Sequence, residues 1–203
     1  MNIDSYLTFE EIEEKLRQVQ LKGFEKAFAY KETNISIQKL DVNIIVPCQN
    51  YVLTSTVQKI IDIHHTLLSE GKNPFHLMGG VVFDSYDEKI PFLPPLVEVQ
   101  EIDGNTMLIL CDGMHRMFAA RKLGYRHVNV LVVEGCKYPY YSYPIEGGWD
   151  KVVELDELPE NFAKKRYVLE PTEEDPSRYK QLFRNLNGVF EGIQKPRHSK
   201  SLT

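Results

Sequence analysis

The chain has 203 residues, of which 42% are hydrophobic and 26% charged, a composition typical of a folded globular protein. Its formal net charge of −5 argues against a protein that coats nucleic acid, because such surfaces are strongly basic. The three cysteines are far apart and form no CxxC pair, which disfavours a disulfide framework or a zinc knuckle and favours a reducing cytoplasm.

The first 32 residues are predicted to form a helical segment. Thr8 and Glu11 have the spacing of a capping box, in which each side chain bonds a backbone N–H of the other residue. An apolar stripe typical of an amphipathic helix ending near Gly23 follows, made by Ile12, Leu16 and Val19. No basic segment with an apolar core precedes it, so we expect no signal peptide, and no apolar run has membrane-spanning length.

The main domain is predicted to span residues 33–135 and to begin with a strand and a helix. Residues 33–46 are β-prone and are followed by a proline. Thr54 or Ser55 can cap the helix that comes next, and its apolar stripe continues to Gly71, where a left-handed residue can end it.

Two patterns in this domain raise the question of a metal. His64 lies on the apolar stripe of the second helix, and we interpret it as a packed side chain because no His-x-x-x-His spacing accompanies it. Asp84, Asp87 and Glu88 cluster in a predicted loop, which is either a solvated acidic loop or a site for Mg²⁺, a cation that prefers carboxylates.

A hairpin is predicted in the middle of the chain. The run Leu96–Val99 alternates in polarity, which indicates a strand with Glu98 on the face opposite to its valine neighbours. Asp103 and Gly104 then predict a tight turn into the strand Met107–Cys111. Glu98 can act as an acid or base only if its face is the ligand side.

The polar turn Asp112–Arg116 carries the strongest functional signal. It lies between an apolar strand and a helix over Met114–Leu123, and a β-branched strand follows at Val128–Val133. Backbone N–H groups and the dipole at a helix N-terminus attract anions, and Arg116 adds a positive charge. We therefore predict a phosphate-binding turn; the alternative is that Asp112 only caps the helix.

The letters of this turn, D-G-M-H-R, followed by A-A-x-x-L-G and a valine-rich strand, resemble the signature of the ParB/sulfiredoxin superfamily. The pattern is closest to the D-G-H-H-R of its free-serine kinases, whereas sulfiredoxins have their reactive cysteine where Met114 stands. The resemblance covers about residues 37–133 and implies a compact α+β domain with a small mixed sheet. It also implies nucleotide or phosphate binding by all five residues of the turn: Asp112, Gly113, Met114, His115 and Arg116.

The same resemblance implies ATP or another nucleotide, with Mg²⁺, as cofactors, and catalytic roles for Asp112, His115 and Arg116. In the related serine kinases an acidic residue proposed as the base lies in a loop after the first strand. Gln49 or Asn50 occupies the approximate position here, and an amide cannot take a proton at neutral pH. A carboxylate would have to come from elsewhere in the chain, and the candidates are Asp84, Asp87, Glu88 and Glu98.

Residues 136–203 are expected to pack on the main domain. The segment 137–149 is rich in tyrosine and proline, so regular structure is not expected there. Its rings either pack across the domain or stack a base or sugar. Asp175 and Pro176 predict the start of a C-terminal helix whose apolar stripe reaches Phe190, followed by a basic tail around residues 195–200.

Three functions are compatible with these patterns. The first is a phosphotransferase or nucleotide hydrolase acting on an unknown small-molecule acceptor. The second is a nucleotide-dependent, DNA-associated protein of the ParB type, for which the acidic composition gives no basic surface. The third is a non-catalytic nucleotide sensor or interaction module, favoured by the amide at Gln49. No membrane partner is expected, and a homodimer is left open.

Overall fold

The computed structural model describes residues 2–22, 24–85, 88–158 and 182–190. The described residues form an α+β fold, as predicted. In chain order its elements are β1 (Asn2–Leu7), α1 (Phe9–Leu16), β2 (Gln20–Leu21), β3 (Phe24–Phe28), β4 (Asn34–Asp41), β5 (Ile45–Val46), β6 (Tyr51–Leu53), α2 (Thr54–Ser69), β7 (Gly80–Ser85), β8 (Glu88–Phe92), β9 (Leu96–Ile102), β10 (Asn105–Asp112), α3 (Met114–Lys122), β11 (His127–Glu134), β12 (Val153–Leu155) and α4 (Leu186–Val189).

A five-stranded mixed sheet is the centre of the fold. Its strand order is β4-β11-β9-β10-β5, with β11 parallel to β9, β10 parallel to β5, and the other pairs antiparallel. The valine-rich β11 is buried along nearly its whole length because both faces of the sheet are covered there. The mixed sheet expected from the sequence is therefore confirmed.

The hairpin and the strand–turn–helix unit also agree with the predictions. Asp103 and Gly104 have φ angles of 51° and 76°, the left-handed values that a tight two-residue hairpin turn requires. Helix α3 begins directly after Gly113, and Gly124 follows its end with a φ of 79°. In both the hairpin and the strand–turn–helix unit, the chain turns at residues that readily adopt a positive φ.

The sheet has two differently covered faces. The helix face packs against α2 and α3, and its buried residues include Val97, Leu110 and Val130. On the opposite face, Leu96 and Leu131 pack with residues of α1, and Ile109 packs with buried tyrosines of the segment 137–149. Side chains alternate between the faces along each strand, so the face of a residue follows from its position.

The N-terminal segment contains more strand than we predicted. Both halves of the Thr8–Glu11 capping box are present, but α1 ends at Leu16 rather than near Gly23. Beyond it the chain forms the β2–β3 pair, and before it β1 pairs with β7. Close packing against β1 requires glycine at position 79, because a Cβ there would lie 2.2 Å from the carbonyl oxygen of Leu7. A Cβ on Gly80 would likewise lie 2.6 Å from the side chain of Leu93.

Helix α2 starts without a side-chain cap. Thr54 is its first residue and Leu53 is the N-cap, so the expectation that Thr54 or Ser55 caps the helix is wrong. His64 is buried on the stripe and its Nε2 lies 2.8 Å from the hydroxyl of Tyr125, which confirms the packed interpretation. Gly71 has a φ of 74° just after the helix.

The last part of the chain crosses the opposite face. Tyr140 and Tyr141 are buried in the irregular segment 137–149, so packing is the role of these two rings. Residues 182–190 form the C-terminal strap: Lys22 N donates to Phe183 O at 2.8 Å, and Phe183 stacks on Tyr141 at 4.0 Å. The strap is extended before the short α4, which corrects the continuous helix expected here; the predicted helix start at Asp175-Pro176 and the basic tail lie outside the described residues.

Among the described helices, none has both the length and the apolar character needed to cross a membrane.

Candidate functional site

The turn before α3 is shaped by a glycine that no other residue could replace without strain. Gly113 has a φ of 92°, and a Cβ there would lie 2.9 Å from Cβ and 3.0 Å from Cα of Pro95. Its carbonyl accepts the first helical hydrogen bond, from Met117 N at 2.8 Å. Because of this close approach, α3 follows β10 directly, and the N-terminus of the helix lies at the end of that strand.

His115 joins this helix to the start of α2. Its Nε2 accepts a hydrogen bond from the backbone N–H of Leu53, the N-cap of α2, at 3.0 Å. Because a backbone N–H can only donate, Nε2 is unprotonated and the proton of the neutral ring is on Nδ1. The contact holds the first turns of α2 and α3 side by side.

The first residues of α2 therefore belong to the candidate site, which the sequence analysis missed. Thr54, Ser55 and Thr56 provide hydroxyl groups on the first turn, and none of the three is buried. The first N–H groups of any helix lack an intrahelical acceptor. In the sequence, helix capping was a sufficient explanation for the Thr-Ser-Thr run. The structure shows that this run follows β6 directly and that Leu53, the last residue of β6, contacts His115.

The Arg116 side chain is directed inward rather than into solvent. Its Nη1 donates to the carbonyl of Leu93 at 2.5 Å, and its Nη2 donates to Oδ2 of Asp112. Its side chain is only 14% exposed, whereas that of Asp112 is 42% exposed. Asp112 makes no capping bond to α3, so the interpretation of this residue as a helix cap is wrong.

The side chain of Met114 is directed into the core, so only its backbone is available to the candidate site. Its side chain is 8% exposed and belongs to the cluster between the sheet and the two helices. A thioether in this position fills the core, and its amide is one of the N–H groups at the start of α3. The phosphate-binding role expected for Met114 is thus restricted to its main chain.

Glu98 is not a candidate base for this turn. It lies on the opposite face of the sheet, away from α2 and α3, and it is completely buried. Arg184 of the C-terminal strap donates to both of its oxygens, from Nε at 2.8 Å and from Nη2 at 2.9 Å. Alternation alone correctly separated Glu98 from its valine neighbours, but it could not show that a distant arginine covers that face.

The Glu98 carboxylate is the centre of a buried polar network. Tyr30 Oη donates to it at 2.5 Å and Gln100 Nε2 at 2.7 Å. Burial and the Glu98 charge raise the pKa of Tyr30 well above its usual value, so the phenol keeps its proton. Burial, the largest single effect, lowers the pKa of Arg184, but the charge and hydrogen bonds of Glu98 together with the effects of Tyr30 and Cys136 raise that pKa overall.

Two free cysteines border the same network. Burial raises the pKa of Cys111 well above the usual thiol value, and the Glu98 charge adds to the effect. The pKa of Cys136 is raised for the same reasons. A thiol that stays protonated at neutral pH is a poor nucleophile, so neither residue has the properties of a reactive cysteine.

Of the remaining acidic candidates, Asp84 lies in β7 and Glu88 in β8. Asp84 is exposed near the end of β7, where its Cα is paired with Lys89. Glu88 begins β8, while Asp87 and the side chain of Glu88 lie outside the described part of the chain. No contact between Asp84 and the turn is present among the described residues, so its predicted role is untested.

The loop between β5 and β6 supplies no acid. Nε2 of Gln49 donates to the carbonyl of Tyr51 at 2.7 Å, which ties the amide to its own loop. In the described residues no three His, Cys, Asp or Glu side chains are grouped so that they could hold a metal ion. Mg²⁺ often needs only one or two carboxylates together with phosphate oxygens, and Asp112 is exposed enough to provide one.

Comparison with known proteins adds a family and several distant structural likenesses. A family model described as the ParB CE domain matches residues 11–153. No curated protein matches the chain. Among solved structures, a free serine kinase variant in complex with AMP is 16% identical with a TM-score of 0.31, and the match covers 48% of this chain and 30% of the kinase.

Two further structures are similar over comparable stretches. A conserved hypothetical protein from Pyrococcus furiosus is 16% identical with a TM-score of 0.30, over 49% of this chain and 32% of that one. A Pnob8-like ParB-N domain is 12% identical with a TM-score of 0.27, over 52% of this chain and 32% of that one. The match thus spans about a third of the length of each of these solved structures.

Proposed function

This chain belongs to the ParB CE domain family, within the ParB/sulfiredoxin superfamily, and from that premise we propose that it binds a nucleotide at the turn Asp112–Arg116 and transfers or hydrolyses a phosphoryl group. The supporting observation is the 3.0 Å hydrogen bond from Leu53 N to His115 Nε2. This bond brings two helix N-termini together, and each presents N–H groups and the positive end of a helix dipole.

In this proposal the phosphate chain lies between the first turns of α2 and α3. Backbone N–H groups of residues 113–116 and the hydroxyls of Thr54 and Ser55 donate to phosphate oxygens. His115 keeps its ring neutral and positions α2, so it acts mainly on the geometry of the site. Charge that develops on the transferred group is stabilised by donors already fixed in place.

Arg116 and Asp112 exchange partners when phosphate binds. A phosphate oxygen competes with Asp112 for Nη2 of Arg116, since both are anionic acceptors for the same donor. The released carboxylate can then bind Mg²⁺, which would neutralise phosphate charge. The base that takes the proton of the attacking group is Asp112 itself or one of the acidic residues Asp84, Asp87 and Glu88.

A second candidate function follows from the family itself. Membership of the ParB CE domain family favours a nucleotide-dependent, DNA-associated protein, and the same turn would then bind a nucleotide that regulates the association. The net charge of −5 makes DNA association the weaker candidate. In either case we propose a cytoplasmic location, because the three cysteines of the sequence are far apart and form no CxxC pair.

A thermal-shift panel of ATP, ADP, CTP and GTP, each with and without Mg²⁺, tests nucleotide binding. A ligand at one hundred times its Kd adds about 2.7 kcal/mol of stability. Nucleotides that stabilise the protein are then assayed for phosphate release and for transfer to hydroxyl acceptors. Binding without turnover would favour a nucleotide sensor, and no stabilisation by any nucleotide would contradict the proposal.

A further inference from the structure

A second concave surface lies between the loop after β3 and the loop after β11. It encloses about 250 Å³ and shares no lining residue with the turn at α3. We call it the lysine pocket, and its main side chains are Lys26, Phe28, Lys31, Glu32, Lys137 and Tyr138.

The charge of the lysine pocket is opposite to that of the chain. Three lysines and one glutamate leave a formal charge of +2 in a protein whose net charge is −5. Lys31 lies over the ring of Phe28, with Nζ 5.6 Å from its centroid. Lys137 pairs with Glu32, but the two side chains are 71% and 68% exposed, so water weakens the pair and an anion can replace the glutamate.

One wall of the pocket, the loop after β3, is held in place by hydrogen bonds from Arg17. Its Nη1 donates to the carbonyls of Lys31 at 3.1 Å and Thr33 at 3.2 Å. The thiol of Cys136 contacts the carbonyl of Ala29 at 3.5 Å, which ties this wall to the other one. The backbone that carries the lysines is therefore held before any ligand arrives.

The other wall, the loop after β11, is held in place by the buried polar network around Glu98. The carbonyl of Tyr138 accepts hydrogen bonds from Arg184 at 2.8 Å and from Gln100 at 3.3 Å. Lys137 is the neighbour of this anchored residue. A preorganised wall lowers the entropy lost on binding, which favours recognition even by flexible lysine side chains.

We propose that the lysine pocket binds a small ligand with two or more negative charges, of the phosphate monoester or pyrophosphate class. Lysine ammonium groups act as point charges toward phosphate and need no bidentate geometry. The volume is below the roughly 300–1,000 Å³ typical of pockets for drug-sized ligands, so it fits a compact anion better than a whole nucleotide. This site is independent of the nucleotide site at α3.

A titration with inorganic pyrophosphate, followed through backbone amide NMR signals, tests the proposal. Gly135 lines the pocket and Gly113 reports on the turn, so their two signals separate the sites. We expect a saturable shift of the Gly135 signal that persists unchanged in an Arg116→Ala variant. Loss of that shift in the variant, or shifts at Gly113 alone, would overturn the second site without affecting the first.

Charge-matched variants make the test specific. Lys31→Gln with Lys137→Gln should weaken pyrophosphate binding at Gly135 roughly tenfold, as expected for two partly exposed charges. Lys39→Gln with Lys151→Gln removes the same charge at exposed positions outside the pocket and should change the affinity less than about twofold. Equal losses in both double variants would reduce the effect to non-specific attraction and overturn the proposal.

Glu32 supplies a test in the other direction. Glu32→Gln removes the only carboxylate among the described lining residues and frees Lys137, so pyrophosphate should bind more tightly. Unchanged or weaker binding by this variant would contradict the exchange of Glu32 for an anion. Tighter binding of an acidic peptide than of pyrophosphate would contradict the proposal that the ligand of this pocket is a small anion.

Discussion

Arg184 and Glu98 form a fully buried ion pair across 86 residues of sequence. The guanidinium donates to both carboxylate oxygens, at 2.8 and 2.9 Å, and the two side chains are 1% and 0% exposed. Such a pair adds little net stability over apolar residues of the same size, but losing one partner leaves a charge unpaired in the interior. The pair thus makes the C-terminal strap a required part of the opposite face of the sheet.

Replacing Arg184 by methionine should therefore lower the free energy of unfolding by about 3–5 kcal/mol. Arg126→Met is the matched control because Arg126 also pairs with a carboxylate, on Asp41, but is 77% exposed and should cost less than about 1 kcal/mol. Urea unfolding measures both. The double variant Glu98→Leu/Arg184→Met should lose less than the sum of its single changes; similar losses for Arg184→Met and Arg126→Met would contradict the prediction.

Gly113→Ala should destabilise the protein more than Gly124→Ala. Both glycines have positive φ, 92° and 79°, and an alanine in the left-handed region costs roughly 1–2 kcal/mol. Only Gly113 also faces Pro95 at 2.9 Å, while a Cβ on Gly124 meets nothing within 4 Å. We expect a further loss of about 1–3 kcal/mol from this overlap, measured by chemical denaturation. Equal losses would mean that Pro95 moves away without cost.

Arg116→Ala should abolish the thermal stabilisation by nucleotide. The variant should also be less stable without ligand, by about 1–3 kcal/mol, because the carbonyl of Leu93 loses its donor. The ligand-induced shift must therefore be compared with each variant's own melting temperature. Arg121→Ala on the same helix, where the guanidinium contacts Asn43, should keep the full shift. Equal shifts in Arg116→Ala and the parent protein would remove the phosphate site.

Asp112→Asn separates binding from turnover. Without the carboxylate Arg116 is free to contact phosphate, so in the absence of Mg²⁺ nucleotide affinity should rise by up to about fivefold, the upper value for a solvent-accessible ion pair. Turnover should fall by about 10²- to 10⁴-fold if Asp112 is the base. Isothermal titration and phosphate release measure the two effects, with Asp103→Asn, an exposed residue near the other end of β10, as the charge control. Weaker binding together with full turnover would contradict the partner exchange.

Stability should fall below about pH 6.5 partly because of His64. Burial, with a smaller contribution from the charge of His65, lowers the pKa of His64 below its usual 6.5. The unfolded chain then binds more protons than the folded one just below pH 6.5, so stability is lost as the pH falls, by at most about 1.4 kcal/mol per pH unit for one proton. Urea unfolding at pH 7.5 and 5.5 should show a smaller loss for His64→Gln than for the parent and the exposed-site control His127→Gln.

The local patterns of the sequence predicted the centre of the fold well. The turn at Asp103-Gly104, the strand–turn–helix unit around Gly113 and the capping box at Thr8 each depend on neighbouring residues alone, and all are present. Pairings between distant segments were not predictable in this way. The strand β1 has mostly exposed side chains and no strong apolar alternation, and it is a strand because β7 is available to pair with it.

The candidate site also has one part that local sequence could predict and another that depends on long-range contacts. The turn residues could be chosen from the sequence because Gly113, His115 and Arg116 are adjacent to one another. The start of α2 and the inward direction of Arg116 depend on contacts with Leu53 and Leu93, which lie 62 and 23 residues away. Long-range contacts of this kind leave no mark in local composition or periodicity.

The distance between Glu98 and Arg184 along the chain also sets an order of events during synthesis. When Glu98 of β9 is added to the growing chain, the arginine that neutralises it is still 86 residues from being made. Until then the carboxylate must stay hydrated or take up a proton, because a buried unpaired charge is too costly. The opposite face of the sheet can therefore close only after translation of the strap, whereas the helix face, whose core is complete by Val152, is free to form first.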